Sequence, residues 1–219
     1  MIMYRGVKFG EYHTAADWGM LLTDKSIAPP KAKTKTIKID GRDGDIDLTE
    51  ALGGVVRYET RKLSFKFLLI DGTYNERNEI ISEVMTHVHG KRLSVLLDDD
   101  MDYYFVGRCT VKNTDNNMSM GEITIEVDAE PYRLKVVDTV RTVSVVGDTL
   151  DVVIQNLGAK TVVPEITVIG EVDLTFDEIT NHLTDGVYKI NSVKFKSGLN
   201  YVNASGTGDV VFTFREARF

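Results

Sequence analysis

The sequence predicts a mostly β protein with one main α-helix, divided into two domains. Three observations predict this. Valine, isoleucine, threonine and aromatic residues are abundant, and only 4 prolines interrupt 219 residues, a composition that suits a pleated, half-buried surface. Apolar and polar residues alternate with period two in several stretches. Only one stretch carries a strong helical period.

The first landmark is Trp18, the single tryptophan, in ADWGMLLTDKSIAPP. A lone tryptophan anchors a core or a subunit contact more readily than it forms a sugar platform. A strand, TIKI, then enters IDGRDGDIDLTEALGG, Ile39 to Gly54. Asp43, Asp45 and Asp47 could open a calcium loop. Its sixth position would then be Leu48 where glycine is required, and its twelfth Gly54 where a bidentate glutamate is required. No Gly-Lys-Ser/Thr follows, so a phosphate cradle fails as well. The stretch reads as a tight turn in which Gly41 and Gly44 supply unusual backbone angles, followed by a short helical turn near Leu48–Leu52.

In KLSFKF, Leu63, Phe65 and Phe67 point one way and Ser64 and Lys66 the other. Thr73 to Gly90 is the main helix. Ile80, Ile81, Val84, Met85 and Val88 form its apolar stripe, Thr73 with Glu76 forms a capping box, and Gly90 suits a left-handed stop. The stripe assigns the helix to packing across a sheet. RLSVLL and YYFVGRCTV read as strands around the acidic tip DDDMDYY, Asp98 to Tyr104, which charge would hold in water. In GEITIEVD, Ile123, Ile125 and Val127 alternate with Glu122, Thr124, Glu126 and Asp128. Pro131 closes that run, and a new pattern begins near Asp138. Turn signals at Gly147–Asp148, Asn156–Gly158, Gly170, Asp185–Gly186, Ser197–Gly198 and Gly206–Gly208 predict the short strands of a β-sandwich.

Bulk properties narrow the function. Net charge is −7, from 33 acids against 26 lysines and arginines. That argues against tight binding to a nucleic-acid backbone and weakly against an anionic membrane. No run of about 18 apolar residues offers a membrane span. The start, MIMYRGVKFGEYH, lacks an apolar core with a small-residue cleavage site, so no signal peptide is expected. Cys109, the single cysteine, sits in the strand-like VGRCTVK as a small buried group. His87 and His89, two residues apart on a helix, do not share a face, and His13 and His182 are isolated. No Gly-x-Ser-x-Gly or His-Glu-x-x-His occurs. The residues therefore suggest a structural or binding protein, with no enzyme activity, cofactor or metal expected.

The order of these features resembles the distal tail protein (Dit) family of long non-contractile-tailed bacteriophages. The marks are the prolines before a strand, DGRDGDIDLT, YETRKLSFKF, HGKRLSVLLDDD with YYFVGR, and the closing PY of IEVDAEPY. VPEITVIG and GLNYVNASGTGDVVFTFREARF extend the resemblance through the second half. It implies an N-terminal, β-barrel-like, ring-forming domain over residues 1–135 and a C-terminal galectin-like β-sandwich over residues 136–219. Six copies would form the tail-tip hub of a phage or prophage, assembled in the bacterial cytoplasm and carried in the virion tail. Implied partners are further copies of the chain, the tail tube protein, the tape-measure protein and the tail-associated or receptor-binding protein. DNA would pass through the ring without specific binding.

On that footing Trp18, Arg42, Asp43 and Asp45 are expected at a subunit interface. Glu122, Glu126 and Asp128 are expected to line the channel, where carboxylates repel phosphates. The rivals are a monomeric β-sandwich carbohydrate-binding module recognising cell-surface glycans, and a glycan-cleaving enzyme whose carboxylates lie far apart in sequence.

Overall fold

The computed structural model describes residues 6–51 and 53–219. The chain divides into two compact units, Met1–Arg133 together with Phe219, and Leu134–Arg218. Both are built almost wholly from strands, as the mostly β reading expected.

In the first unit, β1 (Val7–Phe9) and β2 (Tyr12–His13) form a hairpin, and α1 (Thr14–Trp18) follows at once. The His13 Nδ1 accepts the Ala16 N–H and caps α1, and Gly19 ends it in the left-handed region. After β3 (Leu21–Ile27) the chain makes a long excursion containing β4 (Thr36–Ile37) and β5 (Ile46–Asp47). It returns as β6 (Arg61–Leu69), then α2 (Tyr74–Val88), β7 (Arg92–Leu97), β8 (Asp100–Asn116) and β9 (Gly121–Ala129). The main sheet runs β2-β1-β7-β8-β9-β6-β3 with antiparallel neighbours.

Leu63, Phe65, Phe67 and Leu69 of β6 and Ile123, Ile125 and Val127 of β9 all point into one core. Phe9 of β1 meets Phe65 and Phe67 edge-on at 5.9 and 6.4 Å, although β7, β8 and β9 separate β1 from β6 in the sheet. The sheet therefore curls around its phenylalanines. Among the described residues it does not close: β2 and β3 remain edges, so the barrel-like domain is an open, curled sheet.

The acidic tip between β7 and β8 is held by more than hydration. Asp98 accepts the His13 Nε2–H at 3.0 Å, Asp99 pairs with Lys25 of β3, and Asp100 pairs with Arg133. The Lys25 pair reaches the far edge strand and so supports the curl.

Helix α2 starts as its sequence demands. Thr73 Oγ1 accepts the Glu76 N–H, and the Glu76 carboxylate accepts the Thr73 N–H at 2.6 Å. Val84 and Val88 are buried, with Ile80 and Ile81 packed against the same core. Met85, expected in the stripe, is exposed, and Arg77 is buried in its stead. Arg77 is 2% exposed, and its guanidinium donates to Asn116 Oδ1, Gly72 O and Asn117 O. It thereby fastens α2 to the β8–β9 turn, and every donor group used has a partner.

In the second part of the chain, β10 (Arg133–Lys135) precedes β11 (Thr139–Asn156), β12 (Glu165–Phe176), β13 (Ile179–Leu183), β14 (Gly186–Tyr188), β15 (Gly198–Phe214) and β16 (Ala217–Arg218). The large sheet runs β11-β15-β12-β13, with β14 also on β12. Three of the expected turns are not turns. Gly147 lies inside β11, Gly170 inside β12, and Gly206 and Gly208 inside β15, with Gly147 opposite Gly206 and Gly170 opposite Gly208. A Cβ on Gly170 would lie 2.4 Å from Thr207 O, and one on Gly208 would lie 2.3 Å from Ile169 O. Such approaches admit only glycine. Val145, Val168 and Val210 on one side of this row and Ile154, Val172 and Val202 on the other share one core. Long strands thus crease along a glycine row, so that one bent sheet forms both layers of the sandwich.

Candidate assembly surface

The excursion between β3 and β6 is an arm. Its departure is written in Pro29 and Pro30, which have no N–H to continue the ladder after Ala28 N donates to Lys62 O. The two sides then pair with each other: Glu59 N donates to Lys31 O and Lys33 N to Arg57 O, both at 2.8 Å. Further out, Leu48 N donates to Lys35 O, and β4 pairs with β5 through Thr36–Asp47 and Ile37–Ile46. Gly41 and Gly44, at φ 83° and 74°, turn the tip, as expected for that stretch. Turn hydrogen bonds from Ala51 N to Leu48 O and from Gly54 N to Glu50 O bring the chain back; Leu52, the end of the expected helical turn, lies outside the described residues.

Among the described residues from 28 to 60 none is buried. Ile37, Ile39 and Val55 are 44%, 48% and 53% exposed. A two-stranded ribbon without a core is marginal alone. Its root is firmer: the Tyr58 ring meets Phe219 at 4.7 Å and Tyr132 at 6.1 Å. Burial, with Tyr58 alongside, raises the Tyr132 phenol above its ordinary pKa.

Arg42, Asp43 and Asp45 sit together at the exposed tip. Asp47, just behind, accepts the Thr49 hydroxyl and the Thr49 N–H, which hold its carboxyl below the usual range. Trp18 lies elsewhere. It is 3% exposed, stacks on Tyr12 at 5.3 Å and donates its indole N–H to Glu83. Its ring is therefore anchored in the core of its own chain.

Glu122, Glu126 and Asp128 do share one face of β9. That face is mixed in charge. Asp128 pairs with Lys62 at 3.2 Å and Glu126 with Lys112 at 3.5 Å, while Arg108 stands opposite Asp128. These cations come from the strands that flank β9, so the face carries both signs of charge.

Other candidates resolve into structure. Burial pushes the Cys109 thiol up to about 12, a protonated and inert group. His89 Nδ1 accepts the Val111 N–H, and His87 packs on Tyr12 at 4.3 Å. The exposed His182 imidazole has a raised pKa because it hydrogen-bonds Asp173, with Glu171 nearby. Among the described residues no group of three or more His, Cys, Asp or Glu is arranged to hold a metal, and no helix is long and apolar enough to cross a membrane. A groove of about 590 Å3 on the second unit is walled by Lys160, Lys189, Glu165 and the paired Asp138 and Arg215.

Sequence reasoning marked the tip and missed the arm. The signal was present: Pro-Pro, then KAKTKTIK, a period-two run with lysine where a body strand carries a large apolar residue.

No protein-family model matches the chain, and no curated protein matches it. Its fold is shared with solved phage proteins. One is the Dit protein of phage SPP1, a paradigm of hub adsorption apparatus in Gram-positive infecting phages. The TM-score is 0.69 over 96% of this chain and 98% of that one, at 14% identity. Another is a chain of the phage P2 baseplate in its activated conformation with Ca, with a TM-score of 0.50, 98% of both chains covered and 8% identity. The chain therefore has the Dit-like fold along almost its whole length.

Proposed function

We propose that this protein is a structural hub subunit of a phage or prophage tail tip. Six copies close into a ring that joins the tail tube to the host-adsorption device and leaves a passage for DNA. The observation that carries this reading is the fold shared with the SPP1 hub protein over 96% of the chain, which spans both compact units together. A fold alone does not assign a function. The arm supplies the physical support: a ribbon with no buried residue among those described, and with exposed isoleucines, finds its stabilising contacts on another molecule. Each copy then presents two different surfaces, and such contacts make rings when the rotation closes. In this reading the tube, tape-measure and receptor-binding proteins of the tail are the partners above and below, and the protein acts by geometry without catalysis.

Electron microscopy of the purified chain tests this. Six-fold rings with an axial hole are expected, growing in number with protein concentration. Particles that remain single subunits at every concentration would contradict it, and a monomer that binds a glycan array would favour the carbohydrate-binding alternative.

A further inference from the structure

Resting on the ring reading above, we propose that the arm is an electrostatic key for a second copy of this chain: the anionic tip of one arm docks on the cationic stem of its neighbour's. The stem carries Lys31, Lys33 and Lys35; Lys38 lies at the tip, where the β4–β5 register sets it across from Asp45. The three stem lysines occur at every second residue of an extended segment and so lie on one side of it. Lys33 stands beside Arg57 across the ribbon, a like-charge pair that destabilises an isolated hairpin, with Glu59 by Lys31 as the opposing charge. The tip carries Asp40, Asp43 and Asp45, with Arg42 among them. Among the described residues none of these lysines or aspartates forms an ion pair within the chain.

The two charge groups are kept apart. At about 3.3 Å per residue the paired segment from Lys31 to Ile37 extends roughly 20 Å before the tip begins. Ends of opposite sign so separated do not neutralise each other within one ribbon. A second ribbon, placed tip to stem, does neutralise them. Tip-to-tip contact would set acid against acid, a direct like-charge penalty. The polarity therefore fixes a head-to-tail contact. Every copy keeps one free tip and one free stem, which lets the contact repeat around a ring and gives the ring a direction.

The test uses the full chain in three forms. The stem is reversed by Lys31→Glu, Lys33→Glu and Lys35→Glu, and the tip by Asp40→Lys, Asp43→Lys and Asp45→Lys. All six side chains are exposed, and circular dichroism checks that each variant is folded. Each variant alone should need at least about tenfold more protein for half-assembly in mass photometry. A one-to-one mixture should assemble like wild type, because the cationic tip of one variant meets the anionic stem of the other. The two sets combined in one chain should also recover assembly. Wild-type rings with either reversal silent would overturn this inference and leave the ring reading standing. Folded variants that stay apart when mixed would also overturn it. Wild type and mixture both remaining single subunits would overturn the two together.

Discussion

The arm and the strand that follows it are written with the same period and end differently. In β6 the alternate positions are Leu63, Phe65, Phe67 and Leu69, all buried, and each such side chain stabilises its own unit by about 1.5–3 kcal/mol. In the arm the alternate positions are Lys31, Lys33 and Lys35, and nothing from 28 to 60 is buried among the described residues. Period two makes a chain extended. The residue type at the repeating position decides whether the strand stabilises its own core or is left for another molecule.

The contrast breaks most visibly at the phenylalanines. Phe67→Ala should lower the unfolding free energy by about 3–5 kcal/mol in a denaturant titration. Ile39→Ser on the arm should change it by less than about 0.5 kcal/mol when measured on single subunits. Comparable losses from the two changes would mean that the arm packs on its own body.

The glycine crease sharpens the same contrast within the second unit, where strands that do have a core must bend to enclose it. Gly170 has φ 106°, and its Cβ would strike Thr207 O. Gly170→Ala should therefore cost about 1–3 kcal/mol. A neutral substitution there would show that the bend does not depend on glycine.

The smallest effect concerns the helix cap. Thr73→Ala should cost about 1 kcal/mol. The hydrogen bonds from the Thr73 N–H and hydroxyl lower the folded-state pKa of Glu76 below 4.5. The unfolded state therefore binds more protons near that pH. The stabilisation is complete above 4.5 and fades as pH falls through the lower folded value. A stability profile from pH 6 to 3 should be flatter for Thr73→Ala than for wild type.

Much of the body was legible because its signals are local. The capping box needs only Thr73 and Glu76, and alternation in β6 and β9 shows itself over a few residues. Other features depended on partners distant in the chain. A glycine at positive φ looks the same in a turn and in a crease; only the pairing of Gly147 with Gly206 and of Gly170 with Gly208 tells them apart. Arg77 reads as a wet helix position until Asn116 and Asn117 are brought beside it. The acidic row of β9 gives no sign of Lys62, Arg108 and Lys112, which belong to other strands. Of the candidate surface, the tip was visible as charge, whereas the arm was visible only as lysines at the alternate positions of KAKTKTIK.

The central claim is that a coreless arm closes the ring, and shortening the arm tests it most directly. Lys33 N and Arg57 O are hydrogen-bonded across the ribbon, so an Asn-Gly turn can replace residues 34–56. Electron microscopy of this chain beside wild type should show six-fold rings for wild type and only single subunits for the shortened form, with both melting at closely similar temperatures when dilute. Rings of the same size and abundance from the shortened chain would contradict the claim.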